Sequence, residues 1–454
     1  MDLVVRGGTV VTATSTYQAD IGIEGDRIVS IGRSLSAPIV LDATDKYVLP
    51  GAIDPHVHME LSLGDITSSD TFATGSIAAA CGGVTTLIDF AQSRRGRSLL
   101  DTLAERRGLA GSQVAVDYAL HVAVLDATPA TLAEIPQVIA LGCPTFKLYM
   151  AYADSWLDDG QLLAVLRAIG EAGGSALVHC ENHHVIQELT TRYRAQRKLE
   201  PRFHPLTRPA LMEGEATARL IDLAQLADCP VTIAHVSCRE SLRAIQEAQR
   251  RGQRVRGETC PQYLGLTEQE YLRPGFQGAK FVMSPPLRTR ADQEALWGAL
   301  TRGELHWVAT DHCPFLYHGQ KTRGLEDFSL IPGGVPGVET RLALLHQWGV
   351  GKGKLSLTQW VALCCANPAR HLGLANKGDI AVGLDADLVV FDPRRRVTLQ
   401  ARQLHQHVDY TPYEGLEVTG YPQHVLSRGE PIVEDGEFVG QAGRGKFVMR
   451  KMRG

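Results

Sequence analysis

The chain has 454 residues, 44% of them hydrophobic and 21% charged, and its ionisable side chains sum to a formal net charge of −4. A chain of this size buries the core of one large domain and of a smaller one. The near-neutral charge, with no block of basic residues, argues against nucleic acid or an anionic membrane surface as a partner.

Residues 1–49 alternate apolar and polar side chains over short segments, which is typical of β strands. The dipeptides Gly7-Gly8 and Gly25-Asp26 between these segments are hairpin signals. The same alternation of apolar and polar side chains returns after about residue 375. We therefore predict a small β-sandwich assembled from residues 1–49 and 375–454, outside a central domain that spans residues 50–374.

The central region repeats an apolar strand followed, in most cases, by a helical stretch. Eight strands alternating with helices predict an α/β fold, a (β/α)8 TIM-like barrel, and a doubly wound open sheet is the competing architecture. Two connections, 181–212 and 261–304, are predicted to be long. The eight strand candidates lie at about residues 47–54, 83–90, 115–124, 144–150, 175–180, 230–236, 254–260 and 305–311.

The amino terminus has neither the basic region nor the long apolar core of an export signal, and no apolar run approaches the length of a membrane span. The nine cysteines are scattered without a C-x-x-C pair. We therefore expect buried free thiols in a reducing compartment rather than disulfides. These features predict a cytoplasmic protein.

Polar side chains lie at the ends of several predicted strands, where α/β barrels carry their catalytic groups. Side chains of a strand alternate between its two faces, so two histidines one residue apart can bind one ion. Each residue has an alternative: a single strand-end histidine is more often structural, and Asp311 could cap a helix. Together, however, they favour a metal site. The six candidates are His56, His58, Lys147, His179, His235 and Asp311.

Lys147 lies inside an apolar strand, where a charged ammonium is costly and must be neutralised, paired or modified. A neutral amine could take up CO2 and become a carbamate, whose two oxygens could bridge two metal ions. The alternatives are a lysine that extends to solvent or one that pairs with Asp89. Spacing alone leaves these alternatives open.

Several short segments carry a resemblance to a known family. They are residues 51–58, 146–149, 179–182, 258–264, 284–288, 309–313 and 408–415. These segments resemble the cyclic amidohydrolases, and the chain is most similar to the hydantoinase and dihydropyrimidinase group. The resemblance extends from about residue 3 to residue 450.

The resemblance implies a binuclear zinc centre, with two Zn²⁺ ions or other divalent transition metals in each subunit. His56, His58, the Lys147 carbamate and Asp311 would hold one ion. The carbamate, His179 and His235 would hold the other, and a hydroxide would bridge the two. Metal ions make hydroxide available near neutral pH and polarise the scissile carbonyl. The family also implies a homotetramer.

Further roles follow from the same resemblance. Asp311 would take the hydroxide proton and deliver it to the leaving ring nitrogen. Tyr152 would donate to the developing oxyanion, although without the family context it is better explained as a packed aromatic residue. Backbone groups around Ser284 and Gly333 would orient the substrate. Many relatives have asparagine where this chain has Gly333, and only a backbone contact would survive that change.

The reaction expected from the resemblance is opening of a hydantoin or dihydropyrimidine ring to an N-carbamoyl amino acid. Allantoinase activity is an alternative, because residues 337–340 are also similar to allantoinases. A dihydroorotase would need a cation for the substrate carboxylate, and Met59, Glu60 and Leu61 follow His58 instead. A non-catalytic assembly protein would lack part of the ligand set.

The substrate pocket is expected to contain few additional cations. Four residues suggest an apolar rim that accepts a bulky 5-substituent. They are Leu61, Leu63, Tyr152 and Trp156.

Overall fold

The computed structural model describes residues 1–92 and 94–452. Residues 453 and 454, which belong to the predicted carboxy-terminal β segment, lie outside the described residues. Two large sheets organise the chain, one with eight strands and one with nine. They form a TIM-like barrel and a separate β domain, as the sequence predicts.

The eight-stranded sheet is parallel, and its strands follow one another in chain order. Val57 and His312 form a parallel bridge, and the His58 amide donates to the His312 carbonyl over 2.8 Å, which nearly closes the sheet into a barrel. Sequential order with closure excludes the doubly wound alternative. The strands are Ala52–Val57, Val84–Ala91, Asp117–Ala123, Thr145–Tyr149, Ser175–His179, Val231–Ile233, Val255–Thr259 and Trp307–Val308.

Helices separate these strands and cover the outside of the barrel. Several are preceded by a capping residue whose side chain accepts from the backbone N–H of the third helical residue and whose own N–H donates to that residue's side chain. Examples are Thr71, Asp158 and Thr289. The helices are Phe72–Cys81, Leu99–Gly111, Pro129–Ala140, Asp159–Glu171, His183–Ala195, Ala210–Leu226, Arg239–Arg250, Pro261–Gly265, Arg290–Arg302, Arg341–Leu345, Leu357–Val361 and Asn367–Leu372.

The connection 181–212, predicted to be long, contains the helix His183–Ala195. Asn182 caps this helix, and His183 is the one buried residue in it. The helix therefore lacks the wide apolar stripe by which amphipathic helices are recognised in a sequence.

The nine-stranded sheet combines both ends of the chain. Tyr47–Pro50 joins the two parts, because it pairs with the first strand on one side and with the strand that begins at Leu388 on the other. The domain limits at residues 49 and 374 stay a prediction. The strands are Leu3–Val11, Thr16–Glu24, Arg27–Gly32, Ile39–Asp42, Tyr47–Pro50, Leu388–Thr398, Glu417–Ser427, Glu430–Glu434 and Glu437–Phe438.

Two details of the predicted strands are wrong. The candidate at 47–54 is two strands, because Tyr47–Pro50 belongs to the β domain and the first barrel strand begins at Ala52. Gly7-Gly8 is a bulge within one strand, where the register shifts by one residue and Gly7 has φ +74°. Gly25-Asp26 does connect two antiparallel strands.

All nine cysteines are buried free thiols, as predicted. Among residues 1–92 and 94–452, no helix combines the length and the apolar character needed to cross a membrane.

Candidate metal centre

His56 and His58 lie at the carboxyl end of the first barrel strand. His56 is fully buried, and the centroids of the two imidazole rings are 5.2 Å apart. The Nε2 atoms of both histidines lie 3.1 Å from Oδ1 of Asp311. One carboxylate oxygen therefore faces both histidines, which joins the first barrel strand to the loop after the eighth.

The loop after the eighth strand is anchored to the first strand by Asp54. Its carboxylate accepts from the Thr310 amide at 3.1 Å and from the Thr310 hydroxyl at 2.7 Å. Asp311 is therefore held in the histidine cluster rather than serving as a helix cap. Burial acts to raise the pKa of Asp311, but the neighbouring histidines, His56 first, lower it well below its usual value.

Lys147 points into the same cluster from the fourth barrel strand. Its side chain is 1% exposed, and Nζ lies 3.4 Å from Nε2 of His56. Burial lowers its pKa against the opposing effect of the Asp311 carboxylate. Asp89 instead binds Arg106, whose Nε lies 2.9 Å from Oδ1. The structure thus excludes both alternatives for Lys147, extension to solvent and pairing with Asp89.

His179, the last residue of the fifth strand, and His235, two residues after the sixth, complete the cluster. Nδ1 of His179 lies 3.0 Å from Nε2 of His235. Burial lowers the pKa of both rings, so at neutral pH each ring keeps a lone pair for a metal ion. The ligand atoms of His56, His235 and Asp311 all lie within 4.8 Å of one another.

Three of the predicted site residues have left-handed backbone conformations. The φ angles are +75° at Tyr152, +36° at His235 and +53° at Asp311. Such conformations cost on the order of 1–3 kcal/mol for a residue other than glycine, and they concentrate at functional sites. The surrounding packing therefore holds these three side chains in directions that the chain would not adopt freely.

One cavity of about 1020 Å³ brings the remaining candidates to this cluster. All six predicted ligands line it, together with Tyr152, Ser284 and Gly333. The side chain of Tyr152 lies beside His179, with 4.8 Å between ring centroids. Tyr152 is 36% exposed, and desolvation of its hydroxyl within the cavity raises its pKa above the usual value. Tyr152 therefore keeps its proton at neutral pH and can act as a hydrogen-bond donor.

Comparisons with known proteins agree with this geometry. The amidohydrolase family profile matches residues 212–432. The D-hydantoinase of Ralstonia pickettii is 43% identical over 454 residues, covering 99% of each chain. The D-phenylhydantoinase of Escherichia coli (strain K12) is 40% identical over 457 residues, covering 99% of this chain and 98% of that protein.

Among solved structures, the dihydropyrimidinase from Brevibacillus agri NCHU1002 superimposes with a TM-score of 0.99 and 44% identity over the whole of both chains. The chain belongs to the hydantoinase and dihydropyrimidinase family. It is therefore a cyclic amidohydrolase, and its family implies a site for divalent metal.

The residues of this hydantoinase-family chain fit such a metal site. Nδ1 of His58 and Nδ1 of His235 are buried and have no hydrogen-bond partner in the described part of the chain. A buried polar atom without a partner is costly, and a bound ion would satisfy these two nitrogens or fix the rings that carry them. The donor set of imidazole, carboxylate and a modifiable amine suits zinc.

A second acidic cluster in this hydantoinase-family chain does not fit a metal. Asp117, Asp385 and Asp387 lie close together near the β domain, but the Lys377 ammonium occupies their centre at 2.7, 2.9 and 2.7 Å. Lys377 already neutralises these carboxylates and joins the barrel to the β domain.

The sequence analysis missed two glutamates that hydrogen-bond the rings of the proposed ligand histidines. Glu258 binds Nδ1 of His56 through one oxygen and the Trp307 indole at 2.7 Å through the other. Glu181 accepts from Nε2 of His179 at 2.7 Å and also pairs with Arg208. Such partners fix the orientation of ligand rings. Both glutamates lie in segments that carry the family resemblance. Glu181 also follows the proposed ligand His179 by two residues, a signal that could have identified it, whereas no proposed ligand lies near Glu258 in the sequence.

Phe90 was missed as well. It is the penultimate residue of the second barrel strand. Its ring stacks on His58 with 4.6 Å between centroids and an interplanar angle of 18°. The Nζ atom of Lys147 lies 5.2 Å from the same ring. Phe90 therefore forms an apolar surface against which His58 and Lys147 pack.

Two expectations about the pocket of this hydantoinase-family chain are wrong. Leu61 and Leu63 line the cavity, but Trp156 stacks on His183, at 4.6 Å and 13°, and is absent from the cavity wall among the described residues. The pocket is also richer in cations than expected. The arginines on its wall are Arg94, Arg95, Arg97, Arg106 and Arg208.

Proposed function

We propose that this protein opens the ring of hydantoins and dihydropyrimidines to N-carbamoyl amino acids at a centre of two zinc ions bridged by a carboxylated Lys147. One observation carries the proposal: four histidines, Lys147 and Asp311 converge on the wall of a single cavity. The family implies this ligand set, and the fourth barrel strand supplies a buried amine where the bridging group would lie.

The metal ions, when bound, would supply a nucleophilic oxygen at neutral pH and polarise the scissile carbonyl. Asp311 would accept the proton of the attacking water and donate it to the ring nitrogen as the C–N bond breaks. This role is supported by its position, because Oδ1 of Asp311 lies 3.1 Å from Nε2 of both His56 and His58, within the proposed metal centre. Water adds across one amide bond, so no oxidant or second substrate is needed.

Tyr152 would donate its hydroxyl proton in a hydrogen bond to the developing oxyanion. This role is supported by its position beside His179 and by its raised pKa. Ser284 and Gly333 would bind the ring through backbone groups. A Cβ atom placed on Gly333 would lie 3.8 Å from Oγ of Ser284, so the two residues face each other across a short gap.

The names of the relatives suggest the substrate. Proteins 43% and 40% identical to this chain are named for D-hydantoins and D-phenylhydantoin. We therefore propose the D enantiomers of 5-substituted hydantoins as substrates. Leu61 and Leu63 on the cavity wall are consistent with an apolar 5-substituent.

A substrate panel tests this proposal. We expect kcat/KM to be highest for hydantoin, dihydrouracil and D-5-phenylhydantoin, lower for L-5-phenylhydantoin, and at background for allantoin and dihydroorotate. Chelated protein is the control, and it should show no turnover. Preference for dihydroorotate would contradict the proposal and would assign the cavity arginines to a substrate carboxylate. No turnover of any ring, with no bound metal and an unmodified Lys147, would support a non-catalytic assembly protein.

A phenylhydantoin turned over no better than hydantoin would refute the apolar-rim hypothesis alone. The homotetramer and the cytoplasmic location stay predictions.

A further inference from the structure

A lysine behind the cavity wall has no role in the proposed chemistry. Lys321 is 0% exposed, and its Nζ donates to the carbonyls of Val282 and Pro332, at 3.0 Å each. Among the described residues, no carboxylate pairs with it. A buried amine is costly unless its donors are used, so a methyl-ended side chain would fill this space at lower cost. What the amine contributes is therefore the pair of hydrogen bonds.

The two acceptors belong to two different loops of the pocket. Val282 lies two residues before Ser284, and Pro332 immediately precedes Gly333. The Gly334 amide also donates to the Val282 carbonyl, at 3.0 Å. Lys321 thus joins the loop that carries Ser284 to the loop that carries Gly333.

The hydrogen bond to Pro332 also sets the direction of a donor. A trans peptide is planar, and its C=O and N–H point in opposite directions. Because the Pro332 carbonyl points at the buried Lys321, the Gly333 N–H points away from it. Gly333 is exposed on the cavity wall, and its amide donates to no acceptor in residues 1–92 and 94–452.

We infer that Lys321 is a positioning residue, which fixes the Gly333 N–H as a donor for an oxygen of the bound ring and sets the distance from Gly333 to Ser284. This inference rests on the proposed function. Burial lowers the pKa of Lys321 to about 7, but the neutral amine also donates, so the positioning role does not require the charge.

Lys321→Met tests the inference, since methionine fills the space without donors. We expect KM for hydantoin to rise about 10-fold, the effect of roughly one lost hydrogen bond, while kcat stays within about threefold. Metal content should equal that of the wild-type protein. Lys321→Gln, which keeps an N–H donor, should give an intermediate KM. Lys280→Met is the matched control and should have wild-type kinetics, because Lys280 is half-buried against the Tyr317 ring.

Any other outcome overturns the inference. A folded Lys321→Met protein with wild-type KM would show that the amine does not position the donor. A parallel loss of kcat and metal, or failure of both Lys321 variants to fold, would assign the lysine a purely structural role. If the wild-type protein opens none of the rings, the proposed function fails first and this inference fails with it.

Discussion

Lys147→Ala is expected to abolish both metal retention and ring hydrolysis. Lys147 is the one proposed ligand shared by both ions. Mutating a residue that only hydrogen-bonds a metal ligand lowers metal affinity roughly 10- to 100-fold, and the loss of Lys147 should lower it further. The truncation also opens a void between Phe90 and His56 where the side chain lay. The measurements are metal per subunit by elemental analysis and turnover of hydantoin.

Lys280→Ala is the matched control for that experiment, since it removes a half-buried lysine outside the cluster. It should retain metal and activity. Circular dichroism should show that Lys147→Ala keeps the barrel. A Lys147→Ala protein that holds metal and opens hydantoin would refute the bridging carbamate.

Asp311→Asn is expected to lower kcat by about 10²- to 10⁴-fold, the range for removal of a general acid or base. Asparagine has nearly the same shape and can still offer an oxygen, but it cannot take up the proton of the attacking water. We expect metal content to fall less than in Lys147→Ala. The measurements are kcat for hydantoin in zinc-saturated protein and metal per subunit.

Asp154→Asn provides the control for Asp311, because Asp154 lines the same cavity and is exposed. Its kcat should match that of the wild-type protein. An Asp311→Asn enzyme with wild-type kcat would remove Asp311 from proton transfer and leave it at most a metal ligand.

The positions of the proposed ligands could be recognised in the sequence because strands have a strict period. His56 and His58 follow an apolar run, and His179 ends another, so alternation places them on the barrel rim. The structure brings these histidines together with Lys147 and Asp311. Tyr152, Ser284 and Gly333 could not be found in this way, because they lie in loops, where no period constrains side-chain direction. Only the family resemblance identified them.

The residues that orient the ligands depend on contacts that no local pattern encodes. Glu258 is 202 positions from its partner His56, and the two meet only when the barrel closes. Phe90 is one of several apolar residues in the second strand, and its position beside the histidines follows from the register of that strand. Lys321 becomes informative only when its two acceptors are seen to belong to separate loops.

The local structure is predicted wrongly where a short sequence pattern is compatible with more than one backbone arrangement. Gly7-Gly8 permits a tight turn or a bulge, and pairing with the strand Thr16–Glu24 selects the bulge. The run at 47–54 has continuous apolar character, yet Gly51 divides it between two sheets. A Cβ on Gly51 would lie 2.1 Å from Oγ1 of Thr85, so only glycine fits at this junction.

Titration of the chelated protein with zinc in bicarbonate buffer tests the central claim most directly. The measurements are hydantoin turnover and the mass of the peptide that contains Lys147. We predict that activity rises until two zinc ions are bound per subunit, with Lys147 heavier by one CO2. Full activity at one ion per subunit, or with an unmodified Lys147, would contradict the account.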